Sequence, residues 1–435
     1  MFTRTRNLDY ARRHPATRLG VTAVLTAALT LMLLPTPALP DAMVHSSARA
    51  AAMSGAYTAL AKGVDAAKYN PANLGLTGYR QTGLEFVAVG ANIANNSFTL
   101  SDYNDYTGAV LTTADKEDIL GKIPTEGLSI DADVSATAMS LAMGSFALST
   151  TGYGSADVNL NKDIIDLVLN GNTFADSIEV TGSYSEGVSY AAVALSFGTP
   201  LLQVGKSQLA AGITAKYIKG IAIEEMVELE GLAATYEDGF QGQGRAVFRT
   251  ATGGSGYALD LGAAWKFNDH YTVGARLQNF LGSISWSDDT EEHGYIFEYD
   301  AATVDDFEED DYVGSDDYSK EIDGFSTSLP TSLNIGFART SGTLIYSVDW
   351  IQGLETNPGT TTKPILAFGG EYTALGFLPL RAGYSLGGGH SPAFSFGSGV
   401  SFLGFYLDAA VFTGTSMTLY SAKGAKFAVS TGLRF

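Results

Sequence analysis

From about Gln81 to the C-terminus the chain alternates apolar with small or polar residues, and no other feature restricts its fold so tightly. Leu209, Ala211, Ile213, Ala215 and Tyr217 oppose Ala210, Gly212, Thr214 and Lys216. Tyr257, Leu259, Leu261, Ala263, Trp265 and Phe267 oppose Ala258, Asp260, Gly262, Ala264 and Lys266. The pattern returns in Tyr271–Leu277, Leu333–Phe337, Leu344–Trp350 and Phe405–Val411. It returns again at the terminal KFAVSTGLRF, where Phe427, Val429, Thr431, Leu433 and Phe435 share one face. A period of two puts one set of side chains on each face of an extended strand. Each apolar face is complete over about nine to eleven residues, the length of a tilted membrane strand. About fourteen such segments are expected, give or take two.

Alternation alone suits both a soluble sandwich and a membrane barrel, because both bury one face of each strand. The connections decide between them. NDH (268–270), SGT (341–343), TALGF (373–377) and the Leu-Gly of SFLGF are short, whereas about 97–131, 156–183, 222–246 and 287–327 read as long loops. Short turns on one rim and long loops on the other mark a transmembrane antiparallel β-barrel. In such a barrel Lys216, Asp260, Lys266, Arg276, Asn334, Asp349, Arg381, Asp408, Lys426 and Arg434 line the lumen. The last strand pairs with the first, so that no edge is left. Tyr257, Trp265, Phe267, Tyr271, Trp350 and Tyr372 suit an interfacial girdle.

Composition agrees with this and excludes other classes. There are 50 Gly, 22 Tyr and 23 Phe, which favour strands and tight turns. The absence of Cys excludes disulfides, thiolate metal sites and cysteine nucleophiles. A net charge of −20 argues against a nucleic-acid partner. Arg4, Arg6, Arg12, Arg13 and Arg18 precede the apolar run Leu19–Leu34 and then PTPALPDA. That run is short for a membrane helix, so residues 1–42 read as a cleaved secretory signal, cut after Ala38 or Ala42. The domain division expected is signal 1–42, a compact N-terminal segment 43–80 and a barrel 81–435. Within the second of these, residues 47–62 read as a short Ala-rich helix, ahead of a turn fixed by Pro71.

Motifs with chemistry are weak. GYSLG (383–387) matches the G-x-S-x-G nucleophile pattern and has His390 nearby, but a loop and strand follow it rather than a helix, so Ser385 is not assigned as a nucleophile. GFQGQG (239–244) and GGSG (253–256) read as turn or loop glycines. The acidic run 300–323 departs from the calcium-loop spacing and reads as a solvated loop. The five His are scattered, so no metal centre, cofactor or enzymatic activity is expected. LNKDIIDLVLNG (160–171) has helical spacing and is expected as a helix in an outer loop.

SARAAAMSGAYTALAKGVDAAKYNPANLGL, residues 47–76, resembles the N-terminal region of the long-chain fatty-acid transporter (FadL-like) superfamily, closer to its PorV/PorQ-like and conjugal-transfer-type branches. Asn70, Pro71 and Ala72 match the family's Asn-Pro-Ala turn, and Asn73-Leu74 stands where relatives often have Gly-Leu. WKFNDHYTVGARLQNFLGSISW (265–286), LPLRAGYSLGGG (378–389) and the terminal GLRF are also similar to the family. The resemblance implies a fourteen-stranded barrel with the N-terminal segment folded inside as a hatch, in which Met53, Tyr57, Asn70, Pro71 and Ala72 serve as a gate or as a fixed plug. It implies an outer-membrane location in a Gram-negative-type bacterium, contact with outer-membrane lipid and a hydrophobic, fatty-acid-like ligand passed by gated diffusion. The alternative it implies is a non-transporting barrel that docks with secretion-system or surface-assembly proteins.

Overall fold

The structure is a computed structural model that describes residues 45–435 except 172–176, 237–238, 303–313, 356–361, 375, 389 and 414–417. The expected signal segment and the centre of the acidic run therefore lie outside the described residues.

The chain forms a closed antiparallel barrel of fourteen strands. In order around the wall these are β1 (Gly83–Asn95), β2 (Leu128–Met143), β3 (Phe146–Leu160), β5 (Tyr184–Val204), β6 (Ser207–Tyr236), β8 (Gly253–Lys266) and β9 (Tyr271–Asp288). They continue through β13 (Ser332–Ser341), β14 (Leu344–Gly353), β15 (Ile365–Tyr372), β16 (Leu380–Gly387), β17 (His390–Phe402), β18 (Phe405–Thr413) and β19 (Gly424–Arg434). Strand β19 then pairs with β1, Val429 opposite Val89, and the ring is complete. Closure leaves no unpaired wall edge, the condition for placing strands in hydrocarbon. No helix among the described residues is long and apolar enough to cross a membrane.

The sequence period sets which way each side chain faces. On β5, Val193, Leu195 and Phe197 are exposed while Ala192, Ala194 and Ser196 between them are buried. On β19, Phe427 and Val429 are exposed while Lys426, Ala428 and Ser430 are buried. Outward residues are thus large and apolar, and inward ones small or polar. Trp265 and Phe267, with rings 4.1 Å apart, stand with Tyr271 and Tyr372 near the short-turn rim. Tyr257 lies eight residues up β8 from Trp265, about 26 Å of strand, and Trp350 near the other end of β14. The turn between β17 and β18 is a two-residue loop in which Leu403 and Gly404 both have positive φ (50° and 86°), the geometry that matches strand twist.

On the opposite rim the expected long loops carry structure. Residues 97–127 hold α3 (Leu100–Tyr106) and α4 (Thr113–Lys122), each opened by a Thr-x-x-Asp capping box, Thr99 with Asp102 and Thr112 with Asp115. The amphipathic helix expected near 160–171 is α5 (Lys162–Asn170). Ile119, Ile123 and Ile165 join these helices in one small apolar cluster. Of residues 222–246, expected as a loop, 222–236 instead continue β6 and 239–246 belong to β7 (Gly239–Ala251). GFQGQG therefore lies in a strand, as does GGSG at the start of β8, contrary to the turn reading. At GGSG the reason is steric: a Cβ at Gly256 would sit 2.1 Å from the Ser283 carbonyl oxygen, so glycine lets β8 and β9 approach. The 287–327 region forms β10 (Glu291–Ala302), β11 (Gly314–Glu321) and β12 (Phe325–Ser328). With β4 (Ser177–Glu179), these strands raise the sheet above the barrel.

Residues 45–76 lie inside the barrel. They comprise α1 (Ala48–Ala52), α2 (Val64–Tyr69) and a 3-10 turn, Pro71–Gly75. The helix expected over 47–62 is shorter than that, because Ser54 (φ 53°) and Gly55 (φ 83°) turn the chain left-handed just after it. An all-alanine contact face lets α1 lie directly on the wall: Ala48, Ala51 and Ala52 cluster with Ala410 and Ala428.

Candidate functional site

The Asn-Pro-Ala turn is built by local chemistry and then clamped by the wall. Pro71 sits at the start of the 3-10 turn, where its missing N–H costs nothing. The Asn70 Oδ1 accepts from Ala72 N (3.1 Å), and its Nδ2 donates to the Ala263 carbonyl of β8 (3.1 Å). Against this turn the wall carries glycines: a Cβ at Gly212 would lie 2.3 Å from Ala72 N, and one at Gly262 2.4 Å from Asn70 Oδ1. Asn73 joins the two halves of the hatch, its Nδ2 donating to the carbonyls of Thr58 (3.1 Å) and Ala61 (3.0 Å). A glycine there has no side-chain amide to do this.

Met53 is fully buried against Gly369, and the Tyr57 hydroxyl donates to Asp65 Oδ2 (3.0 Å). The carboxylate of Asp349, from β14, accepts the backbone N–H of Tyr57 (3.2 Å) and Thr58 (2.9 Å) on one oxygen. A run of buried charges then ties the hatch to the wall. Arg49 forks onto Glu371 with both contacts at 2.7 Å, Arg381 reaches Glu371 (2.6 Å) and Asp408 (2.7 Å), and Arg434 lies 3.7 Å from Asp408 and 3.6 Å from Asp65. Lys68 completes the line, 3.7 Å from Asp65 and 2.6 Å from Glu85. Burial alone would raise the Asp65 carboxyl, but Lys68, Arg434 and Arg49 hold it below its ordinary range. Breaking one member of such a line strands its partner's charge in a poorly solvated place.

A second cluster stands higher in the lumen. Asp260 takes Lys216 (2.8 Å), Arg276 (2.6 Å) and the Asn279 N–H (2.9 Å), while Lys216 donates to Asn279 Oδ1 (2.8 Å). This cluster pins an irregularity in the wall. Asn279 and Leu281 of β9 have positive φ (53° and 55°), and the β8–β9 register shifts opposite them. On the other side, β13 pairs with β9 only up to Gln278 and β12 only from Ser283. Residues 279–282 and 329–331 are bridged instead by Asn279 Nδ2 to the Pro330 carbonyl (2.9 Å), Thr331 Oγ1 to the Asn279 carbonyl (3.3 Å) and Leu329 N to the Gly282 carbonyl (3.0 Å).

Of the ten residues expected to line the lumen, Lys216, Asp260 and Arg276 thus come together, Arg381, Asp408 and Arg434 meet in the lower line, Asp349 holds the hatch backbone, Asn334 lines the cavity described next, and Lys426 is buried over the Phe412 ring. Lys266 stands apart near the short-turn rim, 3.5 Å from Asp269. The sequence reading missed Arg49, Asp65, Lys68, Glu85 and Glu371. Its own alternation rule marks Glu85 and Glu371 as inward charges on otherwise apolar or small faces. Ser385 is buried on β16 and the next described element is strand β17 from His390, so the strand-elbow-helix context of a nucleophile is not there.

Beside the second cluster and above the hatch is a cavity of about 1200 Å³, its open mouth included. Tyr153 and Tyr190 stack within it (5.1 Å, 29°), and Val188, Ile223, Ile284 and Leu329 supply an apolar wall continuous with Ile218 and Trp286. His45, Lys68 and Tyr69 of the hatch also line it, as do Gln278, Asn279 and Pro330 at the wall irregularity.

The fold is shared with solved outer-membrane barrels. A FadL homologue of Pseudomonas aeruginosa superposes with a TM-score of 0.50 at 13% identity, covering 92% of this chain and 99% of its own. The toluene transporter TodX of P. putida gives 0.48 at 14% identity (91% and 99%), and the toluene transporter TbuX of Ralstonia pickettii 0.48 at 13% (89% and 98%). At these identities the likeness is one of fold. No curated protein matches the chain. The sequence profile of a family of unknown function, DUF5723, matches residues 81–246 and 224–351, together more than half of the chain, and the chain belongs to that family.

Proposed function

We propose that this barrel sits in the outer membrane and passes hydrophobic small molecules by binding and diffusion, without covalent chemistry. The observation that carries the reading is the apolar inner wall around the cavity: Ile218, Ile223, Ile284, Trp286 and Leu329, with Tyr153, Val188 and Tyr190 packed beside them. A water-filled pore has a polar interior, whereas an inward apolar wall lowers the free energy of an apolar solute by roughly 25 cal/mol per Å² it covers. Below the cavity the hatch and its ion line fill the lumen, and beside it the wall is interrupted at 279–282 and 329–331. These two features support a route that leaves sideways through the wall, with the hatch as a fixed floor. In the competing reading Met53, Tyr57, Asn70, Pro71 and Ala72 move as a gate.

One experiment separates the two. The chain has no cysteine, and Ser54 Oγ of the hatch lies 2.8 Å from Ser395 Oγ of β17. A Ser54→Cys/Ser395→Cys disulfide therefore locks the hatch against a cysteine-free background. Uptake of a labelled hydrophobic solute into proteoliposomes is expected to survive oxidation; loss on oxidation and recovery on reduction would establish a moving hatch. Uptake equal to that of empty liposomes in every state would sink the passage reading. It would favour the docking alternative, which draws its support from the filled lower lumen and from the raised sheet of β4, β6, β7, β10 and β11.

A further inference from the structure

The charge of the cavity selects among hydrophobic ligands. Every cation that lines it is already answered: Lys68 by Glu85 and Asp65, Arg276 by Asp260. His45 is 8% exposed, and burial, with Lys426 and Arg276 nearby, pushes its imidazole down to about 3, so it adds no positive charge at neutral pH. Its Nε2 has no hydrogen-bond partner among the described residues. The acids are different. Asp133 accepts from Asn92 Nδ2 (2.9 Å) and Ser155 Oγ (2.6 Å), both neutral groups. Glu186 has neither an ion pair nor a hydrogen bond among the described residues. Its cross-strand neighbours are Asp157 on β3 and Glu225 on β6, and Asp157 in turn faces Asp131 on β2. Arg249 answers Glu225 and the Tyr184 hydroxyl donates to Asp157, so Glu186 is the acid of this inward row left without a partner among the described residues. Like charges opposite one another across strands repel, and a cation at Glu186 relieves that.

The acidic row stands over an aromatic and apolar chamber. The Tyr153–Tyr190 pair presents ring faces within the same cavity as Glu186 and Asp133, and a ring face attracts a cation as a carboxylate does. From these observations we infer that the preferred ligand is a hydrophobic amine, its ammonium between Glu186, Asp133 and the tyrosine pair, and its apolar body against Val188, Ile223, Ile284 and Leu329. Fatty-acid-like carboxylates of the same size are disfavoured, because the lining offers them uncompensated carboxylates and no spare cation. This rests on the passage reading only for the choice of site; binding is measured apart from transport.

The test uses three water-soluble probes of matched size, phenethylammonium, phenylacetate and 2-phenylethanol, titrated calorimetrically into the purified full barrel in a nonionic detergent at pH 7. The amine is expected to bind about tenfold more tightly than either other probe, the scale of one partly screened charge contact. Glu186→Gln and Asp133→Asn, which keep shape and remove charge, are each expected to shrink that preference, and the double variant to abolish it. The folded state of each variant is checked by its thermal unfolding. Equal binding of amine and alcohol, tighter binding of the carboxylate, an unchanged preference in the folded double variant, or no binding of any probe would overturn the inference. Amine binding without amine uptake would support it and count against passage.

Discussion

At the residue scale, the lumen is organised by carboxylates that each serve several partners. Asp260 answers Lys216, Arg276 and the Asn279 amide together, and it is fully buried. Asp260→Ala leaves two cations uncompensated in one place and frees the left-handed turn at Asn279. It is expected to destabilise the barrel by about 3–5 kcal/mol, read as a lower midpoint in denaturant unfolding. Charge at these positions was legible from the alternation, because a lysine or aspartate on the inner face of a strand has nowhere else to point. Partner choice was not legible: Arg381 meets Glu371 ten residues away, and Arg49 meets the same carboxylate 322 residues away.

At the scale of elements, regular strands were readable and their extensions were not. Residues 222–246 lack clean alternation because β6 and β7 stand above the barrel wall there, where both faces meet water and no period is imposed. The outer helices were only partly legible. α5 shows a clear apolar stripe, whereas α3 and α4 are polar and declare themselves through capping boxes. Asp102 is central to the first of these. Partial burial opposes its charge, but the Thr99 hydroxyl and amide and the Lys122 ammonium (2.9 Å) hold its carboxyl below the ordinary value of 3.8. A depressed carboxylate contributes stability that is fully present above its unfolded value and is lost as pH falls through the folded one. Hydrogen-exchange protection of residues 99–107, corrected for intrinsic rates, is therefore expected to hold above about pH 4 and to fall below it while the barrel strands stay protected.

At the scale of the molecule, closure is the decisive event. β19 is the seam: Phe435 N donates to the Thr82 carbonyl (2.8 Å), and β19 pairs with β1 along eleven positions. Its terminal aromatic is exposed on the outer face. Deletion of Phe435 is expected to lower the yield of folded barrel far more than Val429→Ile, a conservative change on the same face, as read by heat-modifiable electrophoretic mobility. Equal yields would count against a role for Phe435 in closing the seam.

The sequence by itself determined strands of period two over some fourteen segments, and their short turns and long loops favoured a barrel over a sandwich. That the N-terminal segment lies inside was what the family resemblance implied, and its buried contacts in the structure decided it. The alternation also settled the facing of nearly every wall residue, since the strand period leaves no freedom there. Tertiary structure alone decided which charges cancel, where the wall is interrupted, and that an apolar chamber with an acidic lip survives above the hatch. Those properties depend on residues brought together from strands far apart in the chain, and on the left-handed turn at Asn279 and Leu281. No local pattern marks either.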